Sequence, residues 1–262
     1  MLFDLYVHAN GWLQRLDPRT KIALVLCGAV LFVVVEAVWL LALFLITIHV
    51  LLLSSKVPLR KIGWVWRQLL RVVIIIVVIW PFFARLPGPV LFTIGPFSVT
   101  STSLLAGMAT ALRVVGMSML FFVILFTTRQ RELVRGLVKL GLPFEWGLTL
   151  AIALRYIPSF THVVVEIQDA QAARGLRIDR GDIVGRLRGM IPVLVALIIG
   201  VLRTSDTLGM ALAVRGVGSG HPRTVWRDIR FSWLDWAVLA VILVVFATLL
   251  YARYGLGIGA EL

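Results

Sequence analysis

Thr102–Thr128 reads TSLLAGMATALRVVGMSMLFFVILFTT, with Arg113 as its only charged side chain. About 20 predominantly apolar residues suffice for a helix to cross the hydrocarbon core of a bilayer, and this run exceeds that. Gly107, Gly116, Ala106, Ala109 and Ala111 give it a small-residue face suited to close helix packing. The same pattern recurs along the chain. Ile22–Val35 and Ala37–Ser55 predict two spans joined by a tight turn near Glu36, and Leu69–Ala84 predicts a third, flanked by Arg71 and Arg85. Thr102–Thr128 is the fourth. Trp233–Tyr251 is the fifth, with Trp233, Trp236 and Tyr251 where interfacial aromatics sit. Leu86–Thr102, rich in Pro and Gly, reads as a loop.

Composition agrees with this reading. Hydrophobic residues make up 60% of the 262 and charged residues 15%, against roughly half and a quarter in soluble domains. Lys and Arg number 26 against 13 acidic residues. So basic a balance could signal nucleic acid, but the apolar fraction argues against it, and the positive-inside rule accounts for it better. With the N-terminus in the cytoplasm, every basic residue except Arg85, Arg113 and Arg253 falls on the cytoplasmic side. The fold class expected is an all-α integral membrane protein with about five transmembrane helices and a cytoplasmic module of long amphipathic helices. It divides into 1–128, four helices in the membrane; 129–230, the cytoplasmic module; and 231–262, the last span. The expected location is a prokaryotic cell (inner) membrane, multi-pass, with the N-terminus inside and no cleaved signal peptide.

About a hundred residues between the fourth and fifth spans are too many for a structureless loop. Three helices are expected there: Arg129–Leu140, stopped by Gly141 and Pro143; Phe144 to about Arg174, containing Pro158; and Asp182 to about Arg215, containing Pro192. Their apolar runs, broken at Arg155 and bounded by Arg188 and Arg203, fall short of a span and suit helices lying along the membrane's inner face. As a sixth and seventh span they would carry Arg155 or Arg203 toward hydrocarbon at a cost of several kcal/mol. The two long helices end alike, in Ala173-Arg174-Gly175 and Val214-Arg215-Gly216. Small residues permit close approach, glycine stops the helix, and arginine offers a planar, permanently charged fork to a carboxylate or to backbone oxygens. Taken singly, each arginine could merely favour its own helix C-terminus; the duplication points to a paired docking surface.

These residues give the chain its resemblance. Leu16-Asp17-Pro18-Arg19-Thr20-Lys21 before the first span, Leu154-Arg155-Tyr156-Ile157-Pro158 and Ala173-Arg174-Gly175 resemble motifs of the transmembrane T component of energy-coupling factor (ECF) ABC transporters, the EcfT/CbiQ-like family. The resemblance covers nearly the whole chain. Val214 departs from it, standing where the family often has alanine. The resemblance implies two ABC-type ATPase subunits bound to the cytoplasmic coupling helices and a membrane S component holding the substrate, a vitamin or other micronutrient. It implies ATPase-coupling roles for Ala173, Arg174, Gly175, Val214, Arg215 and Gly216, and coupling or structural roles for Arg155 and Pro158.

Arg113 is a functional candidate because it is ionisable within a span; contact with a backbone carbonyl is the plainer account. No chemistry is expected of the chain, and no cofactor. It has no Walker A, His-Glu-x-x-His or Gly-x-Ser-x-Gly pattern. Its histidines (His8, His49, His162, His221) are scattered, and Cys27 stands alone in an apolar run. No metal site is expected. The lipid bilayer is the remaining partner; nucleic acid is not one. The alternative, a self-contained secondary transporter or channel, predicts acidic residues inside the spans or broken helices in repeats, and neither is evident.

Overall fold

The computed structural model describes residues 6–7, 9, 11–84, 87–94, 97–176, 182–219 and 231–255. Arg85, His8 and His221 lie outside the described residues. The chain is an all-α membrane protein of nine helices and one small hairpin among the described residues. These helices are α1 (Trp12–Arg15), α2 (Pro18–Val34), α3 (Val38–Ser54), α4 (Leu59–Phe83), α5 (Ser101–Thr127), α6 (Gln130–Lys139), α7 (Phe144–Ala173), α8 (Ile183–Val214) and α9 (Trp233–Gly255).

Local chemistry sets the helix ends. The Asp17 carboxylate caps α2 by accepting the Arg19 N–H, and Pro18, which has no N–H to orphan, fills the first helical position. A reciprocal Thr100–Ser103 capping box starts α5. Gly141, at φ +116°, closes α6.

The structure forms two compact units. The first contains α1–α6 and α9, and its core lies among α2, α3, α4 and α5, where Phe32, Leu41, Leu52, Val65, Met119, Val123 and Phe126 are fully buried. Helix α5 is central and contacts α2, α3 and α4, while α6 and α9 lie against α2. Close approach is built in at Gly116, where an added Cβ would sit 2.2 Å from the Phe32 ring. The outer faces stay apolar, with Trp39, Ile46, Ile75 and Val78 exposed. So much uncovered apolar surface suits lipid rather than water. The second unit is α7 packed against α8.

Three expectations need correction. Leu86–Thr102 is not a plain loop: β1 (Val90–Ile94) and β2 (Phe97–Thr100) pair antiparallel within it, with an irregularity between Val90 and Phe92. Helix α4, which contains the third expected span, starts at Leu59, ten residues before that span, because arginine is a good helix former and does not interrupt the backbone.

The helices of spanning length also differ from those expected. By length and composition five helices can cross a membrane: α4, α5, α7, α8 and α9. Apolar α3 is shorter, and α2 also has 17 residues, about 25 Å of rise. Helices α7 and α8 have 30 and 32 residues and run unbroken through Arg155, Pro158, Pro192 and Arg203. Their apolar runs are therefore not too short to span, because a single arginine or proline lowers the local preference without ending a helix packed on a neighbour.

Candidate functional site

The two small-Arg-Gly sequences fold into the same helix terminus. At the end of α7, the Gly175 N–H donates to the Ala172 carbonyl at 2.9 Å and the Leu176 N–H to the Gln171 carbonyl at 3.0 Å. At the end of α8, the Gly216 N–H donates to Ala213 at 2.9 Å and the Val217 N–H to Leu212 at 3.0 Å. Each pair of bonds is a Schellman closure, which needs a left-handed residue just past the cap. Gly175 and Gly216 supply it, at φ +91° and +73°. A Cβ on Gly175 would meet nothing within 4 Å, so glycine is required there for its backbone angle and not for space.

This closure leaves Arg174 and Arg215 at matching positions, as the residue between the last helical turn and the glycine. Both are exposed, and among the described residues neither forms an ion pair. A guanidinium held on a rigid helix end loses less freedom on binding than one on a loop. Val214 is 89% exposed, so its extra methyl groups press on nothing among the described residues. Ala173 is exposed too. Arg155 and Pro158 lie on exposed positions of α7, where the Tyr156 and Phe160 rings stack at 5.5 Å and Thr161 Oγ1 donates to the Pro158 carbonyl. The structure does not bring Arg155 into contact with either terminal arginine.

Arg113 belongs to the first unit. Its Nε donates to the Phe32 carbonyl at 2.7 Å and its Nη2 to the Val35 carbonyl at 3.0 Å. Those carbonyls end α2 and lack partners in their own helix, so α5 caps α2 through a side chain across the helix interface.

A polar cluster that sequence reasoning did not assemble explains Leu16–Lys21. Asp235, in the first turn of α9, is 1% exposed. Its Oδ1 accepts the Asp17 N–H at 2.7 Å and the Thr20 hydroxyl at 3.4 Å, and its Oδ2 accepts the Ser232 N–H at 2.8 Å. Beside it, buried Lys21 donates from Nζ to the Thr127 carbonyl at 2.9 Å, tying α2 to the end of α5. At the other end of the α2–α9 pair, Arg253 and Glu36 form an ion pair at 3.0 Å. A carboxylate in the first turn of a helix whose only other charge, Arg253, lies in its last turn was the one sequence signal for Asp235.

The CbiQ family model, described as cobalt transport protein, matches residues 9–226. The chain belongs to this EcfT/CbiQ family. It is 31% identical to the energy-coupling factor transporter transmembrane protein EcfT of Listeria innocua, over 97% of this chain and 98% of the relative. It is 30% identical to EcfT of Bacillus subtilis over the same shares, and 32% identical to that of Thermosediminibacter oceani over 88% of this chain and 90% of the relative. For this family member, both helix termini and the Asp17 cluster fall within the matched segment, apart from Ser232 and Asp235, which lie beyond it.

Proposed function

We propose that the chain is the non-catalytic transmembrane coupling subunit of an ECF-type ABC importer. Two ABC ATPase subunits seat on the ends of α7 and α8, where Arg174 and Arg215 each pair with an acidic residue. A membrane S component holds the substrate, a vitamin or other micronutrient. ATP-driven closure of the ATPases moves the two helix ends, and the rigid helices transmit that movement to the S component. Residues 129–230 carry the coupling function, residues 1–128 and 231–262 the membrane anchorage, and the N-terminus faces the cytoplasm of a prokaryotic cell membrane.

The observation that carries this reading is the duplication of one geometry. Two long helices of the same unit end in the same Schellman closure, each with an exposed arginine lacking an ion partner among the described residues. A lone arginine at a helix C-terminus is explained by the helix dipole; two matched ones fit a pair of like subunits. Removing one partner of a buried, hydrogen-bonded charge pair costs about 2–5 kcal/mol, enough to release a subunit.

The test is purification of the chain with its partners from native membranes, beside the Arg174→Glu/Arg215→Glu variant. The native chain should bring down a pair of ABC ATPases and the variant should lose them at unchanged yield and helix content. Equal ATPase recovery by both would overturn the proposal.

A further inference from the structure

We infer that the exposed stripe Arg60, Trp64, Arg67 and Arg71 on α4 is a binding site for anionic phospholipid headgroups. These positions recur at intervals of four, three and four, which places them on one face of the helix. The opposite face is occupied, with Ile62 and Val65 buried and Leu69 and Val73 packed on the core. Arg60, Trp64, Arg67 and Arg71 are all exposed.

Depth makes the stripe unusual. Helix α4 is long and apolar enough to cross a membrane, but Val72–Phe83, the stretch beyond Arg71, rises only about 18 Å. The hydrocarbon core is about 30 Å thick. If α4 crosses it, Arg71 and Arg67 stand at or below the headgroup level on a face turned from the protein core. Among the described residues no ion pair reaches Arg60, Arg67 or Arg71. Arg71 donates to the Gln68 side chain, its neighbour one turn back, which leaves its charge uncompensated. Arginine in hydrocarbon is costly unless it finds an anion or water.

A phosphodiester drawn down to the stripe supplies that anion and can accept two parallel N–H bonds from one guanidinium. A zwitterionic headgroup brings its own ammonium with the phosphate, so the stripe discriminates by net charge. Trp64, amphipathic and set between Arg60 and Arg67, suits the interface where those headgroups lie. This site is independent of the coupling role of Arg174 and Arg215.

The test uses the full-length chain in neutral detergent with equal amounts of phosphatidylglycerol and phosphatidylcholine, reading bound lipid by native mass spectrometry. The wild-type chain should retain phosphatidylglycerol preferentially, and added salt should weaken that preference. Each basic residue near an anionic surface contributes about fivefold, so Arg67→Gln/Arg71→Gln should lower the preference about 25-fold. The corresponding double lysine variant should keep most of it. If the double glutamine variant does not fold, Arg60→Gln, at the helix start, should still lower the preference about fivefold. Equal retention of the two lipids by the wild type, or an unchanged preference in a folded glutamine variant, would overturn the inference. So would cross-links from position 67 to a protein in native membranes together with no phosphatidylglycerol on the purified chain.

Discussion

The Asp235 carboxylate accepts the backbone N–H of Asp17 at 2.7 Å, joining the first turn of the last helix to the cap of the second across 218 positions of sequence. Asp17 in turn caps α2, so one buried carboxylate orders the other. Asp235→Ala leaves the Asp17 N–H buried without its acceptor. A hydrogen bond to a charged group is worth about 1.5–3 kcal/mol, and a loss of that size is expected in thermal unfolding of the purified chain. Asp235→Asn, which keeps an acceptor oxygen, should fall between. An alanine variant as stable as the wild type would show that the cluster does not hold α9.

Arg113 caps the end of α2 through the Phe32 and Val35 carbonyls. Arg113→Leu strands both, and the expected destabilisation is about 2–3 kcal/mol. Lysine, a compact charge without the planar fork, should recover only part of the loss. If its role is structural in this way, ATPase recovery per folded chain stays unchanged, and a selective loss of ATPase would argue for a role in coupling.

Two glycines of α5 should respond differently to the same change. A Cβ on Gly116 would stand 2.2 Å from the Phe32 ring, whereas one on Gly107 would stand 3.4 Å from the Trp80 Cβ. Gly116→Ala should cost about 1–3 kcal/mol through forced repacking. Gly107→Ala should be close to neutral, because the gain in helix propensity offsets a mild contact. Equal unfolding midpoints for the two variants would count against the packing of α2 on α5.

At Gly175 and Gly216 the constraint is the backbone angle. Alanine in the left-handed region costs about 1–2 kcal/mol, and asparagine adopts it more readily. Gly175→Ala and Gly216→Ala should therefore fray the ends of α7 and α8 and reduce ATPase recovery, with Asn restoring much of it. Hydrogen exchange at the Leu176 and Val217 amides would report the fraying directly. Protection unchanged in the alanine variants would contradict the Schellman closure.

The ends of α7 and α8 were legible in the sequence because their signals are local. Glycine adopts the left-handed angle that closes a helix where the apolar periodicity runs out, and both helices close at Arg174 and Arg215 as expected, although Arg135-Gly136 and Arg188-Gly189 continue inside α6 and α8. The start of α4 was not legible in the same way. Arg60, Arg67 and Arg71 mark a membrane boundary in hydropathy, but helix formation does not stop at that boundary, and α4 continues back to Leu59. The hairpin in Leu86–Thr102 escaped for a related reason: prolines and glycines announce turns and hide the short alternating strands between them.

The sequence by itself determined the membrane class, the helix-stopping glycines and the repeated Ala/Val-Arg-Gly ends, all consequences of composition or of bonds spanning a few residues. Only the tertiary structure decided what the isolated charges do. Arg113 had two open readings until α2 was packed beside it, and Asp235 had none until Asp17 lay 2.7 Å away. A buried charge is tolerated only with a partner, and that partner is chosen by packing between helices far apart in the chain, which local sequence does not encode.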